Sequence, residues 1–270
     1  MDLVDAVRPL AGRGDVWLCC SPGLADQRSV YWRDDRSALV GFPRLDRGWV
    51  ARVLGASERE VAVHALPPTR PRVLWITRQI IRSSMDRDTW TRVVRSTLRV
   101  IAARERLHLV VKPHPRQNLP ELYEEMRALP RERWTLWRGS TMSAAAQCDV
   151  VVSVWSSAIL DALAVGKPVI EFFEYAKESI NQSRDAAGRI TGGWRAHGLA
   201  LPADSEAELH ALLDAWERDP GDARFVRQRE AFAALHPEHA DDTGRAVAEI
   251  SRTLAARAQG QRRPPLGAGP

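Results

Sequence analysis

The sequence predicts an α/β fold built around a doubly wound parallel sheet. Three observations point there. From residue 72 onward, strand-like and helix-like segments alternate. The strand-like runs, such as RVLWI and DVVVSV, are almost continuously apolar, as strands covered on both faces are. The segments between them repeat apolar residues every three to four positions, the period of a helix lying on a sheet.

In chain order, residues 15–20 (DVWLCC) read as a short strand, 22–35 as a helix, and SALVGFP (37–43) as a strand running into a turn. RVLWIT (72–77) is the first strand of the regular part. The helix over 86–106 puts Trp90, Val93, Val94, Leu98 and Ile101 on one face, while Arg92, Arg95, Arg99 and Arg104 read as its solvated side. LHLVV (107–111) is the next strand, and LPELYEEMRAL (119–129) a helix with Pro120 in its first turn. RWTLW (133–137) is a strand, and TMSAAAQ (141–147) a short helix with a hydroxyl residue near its start. DVVVSV (149–154) is a strand, SSAILDALAVG (156–166) a helix closed by Gly166, and PVIEFF (168–173) a strand. Helices are expected over about 204–218, 222–235 and 241–258, followed by a disordered tail at 259–270.

Composition narrows the function. The 270 residues carry a formal charge of +5. The positive residues are mostly arginines scattered along the chain, which reads as a solvated surface and not as a nucleic-acid stripe. A modest attraction for anionic substrates or for an anionic membrane surface fits that balance. No run of eighteen apolar residues occurs, so no membrane-spanning helix is expected, and MDLVDAVRPLAGRGD lacks the apolar core of a secretory signal. Cys19, Cys20 and Cys148 are odd in number and lack a metal-ligand spacing, which fits a reduced cytoplasmic compartment.

Doubly wound sheets bind ligands beyond the carboxyl ends of their strands. Those tips carry Thr77-Arg78-Gln79, Lys112-Pro113-His114-Pro115-Arg116, Ser153-Val154-Trp155-Ser156-Ser157 and Glu171-Phe172-Phe173. The prolines stiffen the backbone around His114 and so aim its ring. A histidine beside phosphate, held protonated, would give a charge-assisted hydrogen bond. Ser156 and Ser157 are expected to open a helix whose free N–H groups attract anions, one serine as an ordinary N-cap being the plainer reading. With Arg78, Lys112 and Arg116 the set makes a diphosphate cradle. Neither GxGxxG after the first strand nor GxxxxGK[ST] occurs.

The stretches KPHP (112–115) and CDVVVSVWSSAILDALAVGKPVI (148–170) resemble the donor-binding, Rossmann-like half of GT-B transferases. Most similar are the CDP-glycerol glycerophosphotransferases, the capsule-polysaccharide transferases and the bacterial sialyltransferases with HP and SS motifs. The UDP-N-acetylglucosamine 2-epimerases are similar at greater distance. VGFPRLD (40–46) resembles the linker between GT-B lobes, and DDTGRA (241–246) the stretch that opens the last helix. The resemblance implies a truncated N-terminal α/β segment and linker at 1–46 and a donor-binding domain at 47–258.

It also implies roles. His114 would contact the donor phosphates and steady the departing nucleotide, Ser156 and Ser157 would bind the same phosphates, and Arg78, Lys112 and Arg116 would add charge. Asp161 would reach a ribose hydroxyl or face solvent as an ordinary helix acid. The donor would be CDP-, CMP- or UDP-linked, with electrostatic stabilisation of the leaving group, no metal and no cofactor. The acceptor would be a polysaccharide or lipid-linked polymer at the inner membrane face, or the chain would be a donor-binding half completed by an acceptor-domain partner. Asp15, Asp26, Asp34 and Asp35 are the acids available for a catalytic base. Trp155 would stack on a base or pack beneath its loop. Trp194 and His197 lie in a glycine-rich loop, ITGGWRAHG, and His236-Pro237 reads as an incidental turn.

Overall fold

The computed structural model describes residues 17–19, 37–64, 66–68, 70–81, 85–175, 182–184, 188–237 and 240–258. The expected helix at 22–35, the candidate bases Asp15, Asp26, Asp34 and Asp35 and the tail at 259–270 lie outside the described residues. The chain divides into two compact units, Met1–Trp49 with Leu235–Pro270, and Val50–Ala234.

The larger unit holds a six-stranded, all-parallel sheet. Its strands are β3 (Arg72–Ile76), β4 (His108–Lys112), β5 (Trp134–Leu136), β6 (Val150–Ser153), β7 (Val169–Phe172) and β10 (Leu201–Ala203), in the order β10-β7-β6-β3-β4-β5. The chain starts at β3, winds out to β5, then returns to β6 on the other side of β3. That reversal is the switch point at which such sheets open a crevice.

Alternation sorts the strand side chains. Val73, Trp75, Leu109, Val111, Val152, Ile170 and Phe172 share one apolar cluster. It includes Trp90, Val93, Val94, Leu98 and Ile101 of α3 (Arg87–Ala102), Leu122 and Met126 of α4 (Leu119–Met126), and Leu209, Leu213 and Trp216 of α8 (Glu206–Arg218). The helical stripe thus matches the sequence, and Trp75, Trp90 and Trp134 are all buried. The register rows Leu74–Val110–Val151 and Ile76–Lys112–Ser153–Glu171 lie on the other face. There α5 (Thr141–Ala146) meets β4, and α6 (Ile159–Ala164) meets β6 and β7. Gln228 of α9 (Ala223–Leu235) extends the sheet chemistry by accepting from Val169 N at 2.8 Å and donating to Val169 O at 2.7 Å.

Several features differ from the sequence reading. Two helices, α1 (Arg47–Ala56) and α2 (Glu58–His64), fill a stretch that gave no clear pattern. β10 joins the sheet edge, where Pro202 is tolerated because an edge strand has one idle N–H side. A small antiparallel pair, β8 (Gln182–Arg184) with β9 (Ile190–Gly192), leads to the one-turn α7 (Gly193–Ala196). Arg92, Arg95 and Arg99 do form a solvated, ion-paired face, but the Arg104 side chain is only 6% exposed and binds the Val100 and His210 carbonyls together with Asp214. Among the described residues no helix is long and apolar enough to cross a membrane.

In the smaller unit, β1 (Trp17–Cys19) pairs in parallel with β2 (Ser37–Leu39), and Ala38 and Val40 pack on Ala246 of α10 (Asp242–Ala258). Asp46 caps α10, accepting from Asp242 N at 3.1 Å and Thr243 N at 2.8 Å. Burial works against its ionisation, yet the Thr243 and Asp242 hydrogen bonds hold its pKa below the usual value. Asp242 returns the cap by accepting from Phe42 N at 2.5 Å. Gly41, at φ +77°, has to be glycine because a Cβ would strike that carboxylate. His236 faces Asp242 Oδ2 at 3.2 Å and Leu45 O at 3.0 Å, so it is a bridge in this lock and not an incidental turn residue.

Candidate functional site

The site grows from the tips of β3, β4 and β6. β3 extends past its last ladder residue because Thr77 N donates to Lys112 O at 3.0 Å. The next carbonyl, that of Arg78, accepts from the Trp90 indole at 2.9 Å. This fixes the backbone of Arg78 and sends its guanidinium over the Trp155 ring, 5.0 Å from the centroid. Arg78 Nε is buried without a hydrogen-bond partner. Burial, then the nearby Arg116 charge, lowers the Arg78 pKa.

At the β4 tip a tight turn brings Gln117 N to His114 O at 2.8 Å. Within it, Arg116 N donates to His114 Nδ1 at 3.1 Å. A nitrogen that accepts carries no proton, so the ring is the neutral tautomer with its proton on Nε2. Burial, then Arg78, Arg116 and Lys112, lower the His114 pKa. Without a bound anion, burial and the three cations that crowd it thus favour the neutral ring, with its Nε2–H as the available donor. Lys112 is half-buried, and among the described residues its ammonium hydrogen-bonds only Pro113 O, at 3.4 Å. Burial lowers its pKa and Glu60 opposes that shift.

Lys112 and Ser153 both pair with Ile76 in register, on opposite sides of β3. Their strands thus stand two spacings apart, about 10 Å. Beyond Ser153, Trp155 adopts φ +40°, a left-handed conformation that costs a bulky residue about 1–2 kcal/mol. Its ring lies parallel to Phe173 at 6.2 Å, and Phe173 meets Tyr175 edge-on at 5.0 Å. This is the packing role, shared between an aromatic neighbour and Arg78.

The two serines do not open α6 as expected. The helix begins at Ile159 after a turn, and its N-cap is Ala158. Ser156 is 9% exposed, and its Oγ accepts from Ala158 N at 3.2 Å. That leaves its O–H free to donate. Ser157 is exposed on the turn, and Asp161 is half-buried in the first turn of α6.

At the β7 tip, Glu171 is fully buried and meets Arg195 at 2.8 Å, whose side chain is 3% exposed. Arg195 Nη2 donates to the Glu171 and Phe173 carbonyls at 2.7 Å. Burial pushes the Glu171 pKa up, with Arg195 opposing. Gly192 lets Tyr175 approach, since a Cβ there would strike its hydroxyl. Sequence reasoning assigned no part to Arg195 or Tyr175; the lone acid in the apolar run PVIEFF was the signal available. Trp194 is half-buried and His197 exposed, and no described contact joins either to the cation cluster.

At the β5 tip the crevice meets α2. Glu60 accepts from Ser140 N at 3.1 Å and Ser143 Oγ at 2.7 Å. His64 stacks on Trp137 with centroids 4.1 Å apart and planes 18° apart.

One cluster, Asp46, His236 and Asp242, has donor atoms within 4.8 Å of one another. Those atoms are already engaged by backbone N–H groups, Thr243, Arg245 and the Leu45 carbonyl, so the cluster fits a helix lock better than a cation.

No family model matches the sequence, and no curated protein does. Solved structures do match its fold. The wall teichoic acid polymerase TagF superposes with a TM-score of 0.58 at 12% identity, over 94% of this chain and 61% of TagF. The sucrose-phosphate synthase of Thermosynechococcus elongatus gives 0.53 at 16% identity, over 94% and 62%. The UDP co-structure of S. aureus MnaA gives 0.54 at 11% identity, over 91% and 61%. The fold is therefore Rossmann-like and of the GT-B type, and the chain spans about three fifths of the length of these proteins.

Proposed function

We propose that the chain binds a nucleotide-activated donor at the β3, β4 and β6 tips and transfers its sugar or polyol-phosphate to a cell-surface polysaccharide or teichoic-acid-like acceptor. One observation carries this reading. Arg78, Lys112, His114 and Arg116 converge without a carboxylate ion-pair partner among the described residues, whereas Arg87, Arg92, Arg95 and Arg99 of α3 each have one. Like charges held together in a half-buried crevice repel, and an anion relieves that cost.

A diphosphate placed there meets Arg78, Lys112 and Arg116 as fixed charges. His114 Nε2–H and the Ser156 O–H each add a directed hydrogen bond. Ser157 lies on the same turn, and Asp161 stands one turn further for a ribose hydroxyl. Charge that builds on the departing nucleotide is stabilised by groups already in place, the form of stabilisation that needs no reorganisation.

Calorimetry with CDP-, CMP- and UDP-linked donors tests the proposal. At least one should bind the wild type and bind His114→Ala more weakly. If none binds the wild type, or the variant binds every one as tightly, the proposal fails.

A further inference from the structure

α2 is a helix of seven residues with no fully buried side chain, and Val63 on it is 79% exposed. A helix this short does not sustain itself in water. Two side chains hold it on the β5 tip. Glu60 receives Ser140 N and Ser143 Oγ and packs against Gly139, where a Cβ would collide with it. His64 lies flat on Trp137, its Nδ1 2.5 Å from Glu60 O and its Nε2 3.4 Å from Arg138 N. With a carbonyl facing one nitrogen and an N–H facing the other, the ring donates from Nδ1 and accepts at Nε2.

Thus a planar heteroaromatic ring stacks on an indole while its edge accepts from a main-chain N–H. Proteins grip unpaired nucleobases with the same two contacts, an aromatic stack and hydrogen bonds to the ring edge. Trp137 is fully buried and its own indole N–H has no partner. Trp137 N bonds Val111 O at 2.8 Å, so this tip adjoins that of β4, which carries Lys112 and His114. In the opposite direction the β7 tip is closed by the buried Glu171–Arg195 pair. The open direction for the nucleoside end of a ligand anchored on the cation cluster is the one α2 covers.

We propose that α2 is a displaceable lid whose His64 ring and Glu60 carboxylate occupy the β5 end of the crevice until the nucleoside part of the donor takes their place. This rests on the donor-binding reading. The entering ligand replaces each lost contact: its base takes the Trp137 face and the Arg138 N–H, and its hydroxyls take Ser140 and Ser143. Removal of Glu60 from the neighbourhood of Lys112 also leaves that ammonium to the phosphates.

Hydrogen exchange of the wild type with and without saturating CDP or UDP reads the lid directly. Amides of residues 58–64 should exchange faster with nucleotide. The double variant Glu60→Ala/His64→Ala should bind the same nucleotide about tenfold more tightly, because less of the protein is held closed. Gly139→Ala, which evicts Glu60 without altering α2, should shift affinity the same way. Slower or unchanged exchange at 58–64 in the nucleotide complex overturns the lid, as does unchanged or weaker binding by both variants. If neither wild type nor variants bind any nucleotide, the donor reading itself fails and the lid with it. Nucleotide binding without lid movement separates the two failures.

Discussion

Acid should weaken this fold through one histidine outside the crevice. His108 opens β4, is 3% exposed, and hydrogen-bonds Thr135 Oγ1 through Nε2 at 2.9 Å, while Nδ1 is buried without a partner. Burial, then Arg70, Arg72 and Arg133, lowers its pKa from 6.5 to about 4. That gap favours the neutral ring by about 3 kcal/mol. The folded chain binds the proton more weakly than the unfolded chain, so unfolding is favoured as pH falls. The stabilisation is fully present above pH 6.5 and is gone below about pH 4. Between pH 7.5 and 5.0 the loss comes to about 2 kcal/mol. Urea unfolding at the two pH values measures it, with His108→Gln as control, since the amide can keep the Thr135 contact without titrating. The wild type should lose about 2 kcal/mol more than the variant. Equal pH dependence in the two proteins would refute the assignment.

The site gives further predictions. His114→Ala should weaken donor binding about 10- to 100-fold, and His114→Gln, which keeps an N–H near the Nε2 position, should recover most of it. Because burial and the Arg78, Arg116 and Lys112 charges lower the His114 pKa, donor affinity should change less between pH 8 and 6.5 than an unshifted histidine would make it; binding that tightens steeply as pH falls to 6.5 would show proton uptake instead. Inorganic pyrophosphate should raise the melting temperature of the wild type more than that of Arg116→Gln, an effect that added salt erodes; equal shifts would remove Arg116 from the site. Gln228→Ala takes the acceptor from the buried Val169 N–H and the amide donor from the Val169 and Leu199 carbonyls, and should cost about 1–3 kcal/mol in urea unfolding. A cost near zero would mean water replaces the amide.

The sheet was readable because burial on both faces leaves unbroken apolar runs, and α3 because its stripe repeats at the helical period. β10 was not, since Leu201-Pro202-Ala203 has neither the length nor the pattern of a strand and is held by its pairing to β7 and by Ala203 in the apolar cluster. α1 and α2 escaped for the opposite reason: no residue of either is fully buried, so no stripe marks them. In the crevice, residue types at strand tips identified Arg78, Lys112, His114, Arg116, Ser156 and Ser157 as neighbours of one edge. Their states were not legible. The neutral form of His114 depends on one backbone N–H two residues along and on three charges from other loops. Nor did residue type mark the late start of α6 at Ile159, after the left-handed backbone of Trp155.

These departures share a physical origin. Elsewhere in the larger unit buried arginines are met by carboxylates or by main-chain carbonyls: Arg104 by Asp214 and Glu217, Arg195 by Glu171 and Asp204, and Arg133 by the carbonyls of Ile101, Ala102 and Arg104. At the β3, β4 and β6 tips the chain accumulates cations, leaves the Arg78 Nε–H and the Gln79 side-chain Oε1 unpaired, and holds Trp155 in a conformation a bulky residue avoids. Strain and unmet polarity of this kind lower stability and survive where the surroundings over-determine them. Here the surroundings are the Trp90 grip on the Arg78 carbonyl and the Trp155–Phe173–Tyr175 stack that ends on Arg195. Each device keeps a positive group in position in the absence of a negative one, which makes an anion the member the arrangement is built to receive.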